Sequence, residues 1–467
     1  MRSAPPAAGR PKRKRVPQST DAQAPSTFDK PGLAVRKAAA RLLSAIVDRH
    51  TPLDGLTDEK GGNPAYLALD ERDRMLVRAI LNAGLRHRRT IEALIAARLE
   101  RPLPAKAHAL SHLLHVAAAQ ILFLDIPDSA AVDLAVTHAG EDPRTARFTG
   151  LVNGVLREIV RRKARALPAV LQATKDAPDW LIERLEADYG PDHARAILEA
   201  HRREPPTDFT VKSDAPGWAE RLGGLVLPTG SVRVGRLSMP VSRLPGFEEG
   251  AWWVQDAAAS LPARLLGDIE GRRVVDLCAA PGGKTAQLVL SGAHVTAIEK
   301  SPSRSRRLKE NLTRLNLDAT IVQSDLFDLD PAAPFDAVLL DAPCSSTGTI
   351  RRHPDVAWTK TPEDIEKLAD LQYRMADFAL RLLRPGGRMV FSNCSLARSE
   401  GEEVVARLLR EHADIEIDPV SPGELPGIAD FVTEEGYLRT TPAGLPLAQP
   451  ELSGLDGFFA ARLRRLG

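Results

Sequence analysis

Cysteine is scarce in this chain, three residues in 467, and the three stand far apart at Cys278, Cys344 and Cys394. That excludes a disulfide framework and a cysteine-based zinc cluster, both of which need closely spaced pairs, and leaves free thiols in a reducing compartment. No apolar run approaches the ~20 residues that a membrane helix requires. Nothing near Met1 has the charged-then-apolar order of a secretion signal, so the setting expected is cytoplasmic. Acidic side chains are missing from residues 1–15, which carry six basic ones: Arg2, Arg10, Lys12, Arg13, Lys14 and Arg15. The formal charge of +2 conceals this, because taking those six from 63 leaves 57 basic against 61 acidic residues. Affinity for nucleic acid must then come from the arm and from local patches rather than from the global field.

What is present is enough apolar material, 43% of residues, for more than one core, and the length exceeds what a single core spans. Residues 1–32, rich in Pro, Ala, Ser and Arg without an apolar period, read as a disordered basic arm. Residues 33–168 read as all-helical: "AVRKAAARLLSAIVDR" and "ERDRMLVRAILNAGLRHRRTIEALIAARL" repeat apolar residues at intervals of three and four. His108, His112 and His115 fall here without a carboxylate at ligand spacing, so no metal site is expected. Residues 169–248 read as a connector, a helical stretch ended by Pro205-Pro206 and then a small strand-rich unit. From residue 249 to 467, β-branched apolar runs alternate with helical segments, the pattern of a doubly wound α/β domain.

The chemistry concentrates in that last part. "VVDLCAAPGGKTAQL", Val274 to Leu288, is a strand, a turn of small residues and a helix. Small residues let a ligand approach the backbone, and the helix aims its amide dipoles there. The spacing matches neither the dinucleotide fingerprint nor the phosphate loop. Three following strands each close on an acid: "HVTAIE" on Glu299, "ATIVQSD" on Asp325 and "FDAVLLD" on Asp341. Ligands of open α/β sheets lie across the carboxyl ends of the strands, and an acid ending the second strand accepts both ribose hydroxyls, so a nucleoside-bearing cofactor fits. Cys344 in "DAPCSSTGTIRRHPDVAW" and Cys394 in "GRMVFSNCSL" follow strand ends on the same sheet edge, in polar surroundings where a thiolate can add to an electron-poor carbon. Cys278 reads as a small core hydrophobe.

On the succession "VQDAAAS", "DLCAAPGGKT", "AIEKSPSRSRRLKENLTRL", "DAPCSSTG", "RRHPDVAW", "SNCSL" and "DGFFAARL", the chain resembles the bacterial ribosomal small-subunit RNA methyltransferase B family, within the RNA cytosine-5 methyltransferases. The likeness covers most of residues 254–463, and the helical region resembles the NusB-type RNA-binding fold. The resemblance implies a multidomain chain: an all-α NusB-like domain, a small α+β connector, and an α/β Rossmann-like domain that uses S-adenosylmethionine to methylate 16S ribosomal RNA. In that family frame, Cys278, Ala279, Ala280, Pro281, Gly282, Gly283 and Lys284 would wrap the methionine and ribose of the cofactor. Glu299 would hold the ribose hydroxyls and Asp325 would lie by the adenine. Asp341, between cofactor and substrate, would hydrogen-bond the cytosine, Cys394 would attack its carbon 6, and Cys344 would help remove the proton from carbon 5. Arg304 would orient Glu299 or contact RNA.

The resemblance implies no metal, membrane or obligate protein partner. Two positions depart from it: Asn393 stands before the nucleophile where threonine is usual, and Ser260 stands where glutamine is common and a substrate contact is expected. Candidate RNA surfaces are the arm, Arg86 to Arg89, Arg161 to Arg165, and Arg351 to Pro354, with Arg351 and Arg352 favoured because they follow the active-site loop. The alternatives are the same chemistry on transfer RNA or another RNA, and a non-catalytic RNA-binding assembly or antitermination factor.

Overall fold

The computed structural model describes residues 1, 30–330 and 333–467, so the basic arm expected over residues 1–32 lies outside the described residues except at its ends. The three-and-four spacing is realised in helices Leu33–Arg49, Glu71–Arg86, Arg88–Ala96, His108–Phe123, Asp128–Glu141 and Thr149–Ala173. They enclose two adjoining apolar clusters, one around Leu42, Leu43, Ile46, Val77 and Ile80, the other around Leu113, Leu114, Val155, Leu156 and Ile159. His108–Phe123 is buried almost without a break from Leu110 to Ile121, because a helix apolar on all faces can only be central. The last helix passes through Pro168 and ends at Ala173, beyond the boundary expected at residue 168.

Two short helices, Asp179–Tyr189 and Pro191–His201, lead to a small antiparallel sheet. Its strands are β1 (Thr207–Val211), β2 (Leu225–Val226), β3 (Val232–Val234) and β4 (Trp252–Val254), in the order β2-β3-β1-β4. Strand β4 lies beyond the boundary expected at residue 248. The small sheet claims it because Trp252, fully buried, packs edge-on against Phe209 of β1 with ring centroids 4.7 Å apart.

The catalytic half is built on β5 (Arg273–Leu277), β6 (His294–Ile298), β7 (Thr320–Val322), β8 (Phe335–Asp341), β9 (Leu383–Asn393), β10 (Ile415–Ile417), β11 (Leu438–Thr440) and β12 (Phe458–Arg465). Their order is β10-β12-β9-β8-β5-β6-β7, with β11 beside β12. Strands β5 to β9 run parallel and β12 pairs antiparallel with β9. Val274, Val275, Leu277, Val338, Leu339 and Leu340 are all fully buried, the continuous apolar run expected of strands covered by helices on both faces. The chain order reverses between β5 and β8. The carboxyl ends of those two strands form the switch-point crevice where such sheets bind ligands. Among the described residues no helix is long and apolar enough to cross a membrane.

Candidate active site

The turn after β5 is shaped by its sequence. Cys278 takes a left-handed backbone (φ 63°), the Ala280-Pro281 bond is cis, and Gly282 sits at φ 106°. A Cβ at Gly282 would meet Leu308 Cδ1 at 2.7 Å, so glycine is required both for its torsion and for the closeness of the neighbouring helix. That helix, Pro302–Arg314, clamps the turn: Arg304 Nη2 donates to the Ala280 carbonyl at 2.7 Å, and Asn311 Nδ2 donates to that of Pro281 at 2.8 Å. Arg304 Nη1 also lies 3.6 Å from Glu299 Oε2. Of the two roles considered for Arg304, orienting the acid is the one this geometry supports.

A cavity of about 530 Å³ lies against this edge, bordered by Cys278, Glu299, Asp325, Asp341, Cys344 and Cys394. Glu299 is only 3% exposed; its Oε1 accepts from the Ser301 amide at 2.9 Å, while its buried Oε2 has no hydrogen-bond partner. Ion-paired with Arg304 at 3.6 Å but without a hydrogen bond, it fits the hydroxyl donors of a ribose. Asp325 accepts from Lys300 Nζ at 2.7 Å and from the Phe327 amide at 3.2 Å. The stretch Ala279 to Lys284 instead borders a second cavity of about 480 Å³, together with Asp256, Thr349, Arg352 and Phe458. Cys278, Asp341 and Cys394 border both cavities and so form the wall between them. A further cavity, about 750 Å³, lies elsewhere, between helices Asp128–Glu141 and Thr149–Ala173.

The two strand-end cysteines come together there, Cys344 Sγ and Cys394 Sγ being 3.4 Å apart. The hydrogen bond between them and then burial raise the Cys344 pKa well above the ordinary thiol value. Cys278 stays a thiol for another reason: burial, reinforced by Asp341 and Glu299, pushes it up to about 12. It packs against the main core as well as bordering both cavities. Asp341 Oδ2 accepts from Lys284 Nζ at 2.7 Å and its Oδ1 from Ser392 Oγ at 3.0 Å, which fixes the carboxylate in the wall. The Lys284 ammonium also sits 4.8 Å over the Phe458 ring. Beneath them, burial pushes Asp276 up to about 7; its Oδ2 accepts from Thr285 Oγ1 at 2.6 Å and its Oδ1 has no partner.

Several expectations need correction. Arg351 does not face RNA, and Arg352, although it borders the second cavity, is held by internal partners. Arg351 is 2% exposed and donates to the Ser453 carbonyl at 3.0 Å. Arg352 donates to Asp256 at 2.5 Å, to Asp456 at 2.9 Å and to the Pro206 carbonyl at 2.9 Å, so its donors are spent inside the protein. Arg86 is likewise internal, donating to the carbonyls of Arg203 and Arg351 at 3.1 and 2.9 Å. Arg88 lies over the Trp358 ring. Arg161 and Arg162 do face solvent, sharing Glu158. Ser260 is buried and donates to the Ala257 carbonyl at 2.7 Å, so it is a structural turn residue. Asn393 turns away from the thiols: it donates to the Glu400 carbonyl at 2.6 Å and accepts from the Ser395 amide at 2.9 Å. His112, whose helix offers no acidic partner, finds one in Asp48 of another helix, 2.8 Å away. Sequence reading missed Asp276 and Glu400. Asp276, an acid within an apolar strand run, carried a visible signal; Glu400 had only the two serines that follow the cysteines.

A switch-point crevice with paired cysteines in its wall, set behind a helical bundle, defines a Rossmann-like methyltransferase joined to a NusB-type unit. The family model described as 16S rRNA methyltransferase RsmB/F matches residues 263–464, and that described as the NusB family matches residues 33–161. A protein of Xylella fastidiosa (strain Temecula1) named ribosomal RNA small subunit methyltransferase B is 37% identical over 449 residues, 92% of this chain and 98% of its own length. One of the same name from Pectobacterium carotovorum (strain PC1) is 33% identical over 446 residues, again 92% and 98%. The chain belongs to the ribosomal RNA small subunit methyltransferase B family. Its fold is also that of the crystal structure described as PH0851, with a TM-score of 0.68 and 23% identity over 94% of this chain and 100% of the other. The methyltransferase homolog protein of Pyrococcus horikoshii gives a TM-score of 0.50 at 26% identity, over 66% of this chain and 98% of its own.

Proposed function

We propose that this chain, in the cytoplasm, methylates carbon 5 of a cytosine in 16S ribosomal RNA through a covalent cysteine-cytosine adduct. The observation that carries this reading is the Cys344–Cys394 pair, 3.4 Å apart, with Cys394 in the wall between two cavities and Cys344 on the side of the first. The cavity with the free Glu299 oxygen suits S-adenosylmethionine, held by Glu299 at the ribose, Asp325 towards the adenine and the Cys278 turn behind it. The other, bordered by Lys284 and Phe458, suits the target base, which must leave its stack to enter. When bound, the cofactor supplies an electrophilic methyl group.

The residues divide the work as follows. Cys394 adds through sulfur to carbon 6, and the electron pair displaced makes carbon 5 nucleophilic, so that it takes the methyl. Asp341, fixed by Lys284 and Ser392, hydrogen-bonds the ring nitrogen or amine of the cytosine and favours that addition. Once the Cys394 sulfur is bound to carbon, two of the influences that kept the Cys344 proton in place, the hydrogen bond and the neighbouring charge, are gone. Cys344 gives up its own proton to solvent in the cavity it borders and, as a thiolate, takes the carbon 5 proton; the ring double bond re-forms, and the electron pair of the breaking bond returns to the Cys394 sulfur. A pair is needed because an adduct must be released as well as formed.

We propose the domain division read from the sequence, with the helical unit extended to Ala173 and the small sheet to Val254. Bisulfite sequencing of ribosomal and transfer RNA from cells with and without the gene tests the whole reading. Loss of one 5-methylcytosine in small-subunit ribosomal RNA is expected. Loss of a transfer-RNA site would overturn the substrate, and no loss at all would overturn the enzyme.

A further inference from the structure

Behind the two cysteines lies a buried carboxylate that the mechanism above does not use. Glu400 is 0% exposed, and the nearby Arg439 guanidinium is spent on Glu402 and on the Ser395 carbonyl instead of on it. Its partners are neutral donors. Oε1 accepts from the Ser345 amide at 2.8 Å and from Gln372 Nε2 at 2.9 Å; Oε2 accepts from Ser345 Oγ and Ser395 Oγ, both at 2.5 Å. The Ser345 amide and the Gln372 side-chain amide can only donate, so Oε1 acts as an acceptor. A buried charge without a counter-ion is expensive, and hydrophobic packing could have joined these loops more cheaply.

The placement supplies the reason. Ser345 follows Cys344, and Ser395 follows Cys394, so the residue after each sulfur is tied to the same carboxylate oxygen. Asn393, on the other side of Cys394, donates to the Glu400 backbone carbonyl at 2.6 Å, and Gln372 also holds the Pro343 carbonyl, on the other side of Cys344, at 3.0 Å. Both cysteine loops are therefore gripped before and after the thiol, Cys394 through Glu400 and Cys344 through Glu400 and its partner Gln372. We propose that Glu400 is a positioning residue for the two-cysteine centre, setting the separation and orientation at which one sulfur can attack and the other can release. This rests on the roles given above to Cys394 and Cys344. Its charge is also among the influences that keep Cys344 protonated before attack.

The test uses the full chain, wild type and Glu400→Gln, with two readouts. The first needs no RNA: phenylarsine oxide is held by two thiols at close range and not by one, so its affinity reports the pair, with Cys344→Ser and Cys394→Ser as zero controls. The second is the partition of a 16S ribosomal RNA substrate between methylated product and covalent complex. We expect arsenical affinity and turnover each to fall at least tenfold in Glu400→Gln, with both methylated product and covalent complex reduced because attack suffers along with release. Unchanged arsenical affinity together with turnover within twofold of wild type would overturn the proposal. Should Glu400→Gln fail to fold, Ser345→Ala and Ser395→Ala each remove one tie while leaving the carboxylate partnered. Each should lower arsenical affinity about threefold, and no change in either would equally overturn it. A wild type that captures the arsenical yet methylates no RNA would sink the catalytic reading alone, and the arsenical result would still decide the role of Glu400 in spacing the sulfurs.

Discussion

Asp276 carries a pH dependence that a single substitution isolates. An unfolded aspartate ionises near 3.8, whereas burial holds this one protonated to about 7. Between those values the native state keeps a proton that the unfolded state has released. Stability therefore falls as pH rises through the window, by up to ~1.4 kcal/mol per unit, and levels off above it. Asp276→Asn mimics the protonated form, so its thermal midpoint should match wild type near pH 4 and rise above it by pH 8. A difference constant across that range would overturn the assignment. The cysteines give a sharper test: Cys344→Ala should accumulate a covalent enzyme-RNA complex on denaturing gels, and Cys394→Ala should form none. If both variants trapped RNA equally, the division of roles would be wrong. The strand-end acids and cysteines were legible because each stands where an apolar run stops. Asn393 was visible as a departure, but its purpose was not, since its partner is a backbone carbonyl at Glu400 that no pattern in the sequence indicates.

At the scale of elements, period and polarity located the helices and strands, while pairing partners stayed hidden. Strand β4 reads as the opening of the catalytic domain yet pairs with β1, because the aromatic contact between Trp252 and Phe209 outweighs nearness in sequence. Arg352 shows the same limit. As text, two arginines after an active-site loop suggest a nucleic-acid contact; in the fold, Arg352 bridges Asp256, ahead of β5, to Asp456, at the start of β12. Both acids are nearly buried, at 8% and 4% exposure. Removing the cation strands two carboxylates, and breaking such buried pairs costs ~3–5 kcal/mol. Arg352→Ala should lower urea stability by that order and leave the slope of RNA affinity against log salt unchanged. A slope reduced by about one phosphate contact, with stability intact, would restore the RNA-contact reading.

Taken whole, the molecule joins its two large units through the segment that follows the Cys344 loop. Trp358 Nε1 donates to the Leu85 carbonyl at 3.0 Å, Asp355 accepts from the Leu53 amide at 3.0 Å, and the Trp358 carbonyl lies 3.0 Å from His50 Nδ1. From the helical side, the Arg86 guanidinium reaches the carbonyls of Arg203 and Arg351. Burial lowers its pKa to about 10, which still leaves it charged at neutral pH. The "RRHPDVAW" stretch is thus a joint between RNA-binding-type helices and the catalytic sheet, a role no single-sequence pattern distinguishes from a basic surface loop. If the joint makes one cooperative unit, calorimetry of wild type should give a single unfolding transition. Arg86→Ala leaves the part-buried Arg351 carbonyl without its donor, at ~1–3 kcal/mol, while the exposed Arg203 carbonyl can turn to water, a loss that falls on the interface and on neither core. The variant should therefore melt in two separated steps, the catalytic half and the helical half each by itself. A single transition shifted down as a whole would mean that the cores, rather than this joint, set the cooperativity, and that the helical unit is held to the catalytic sheet by contacts other than those of Arg86.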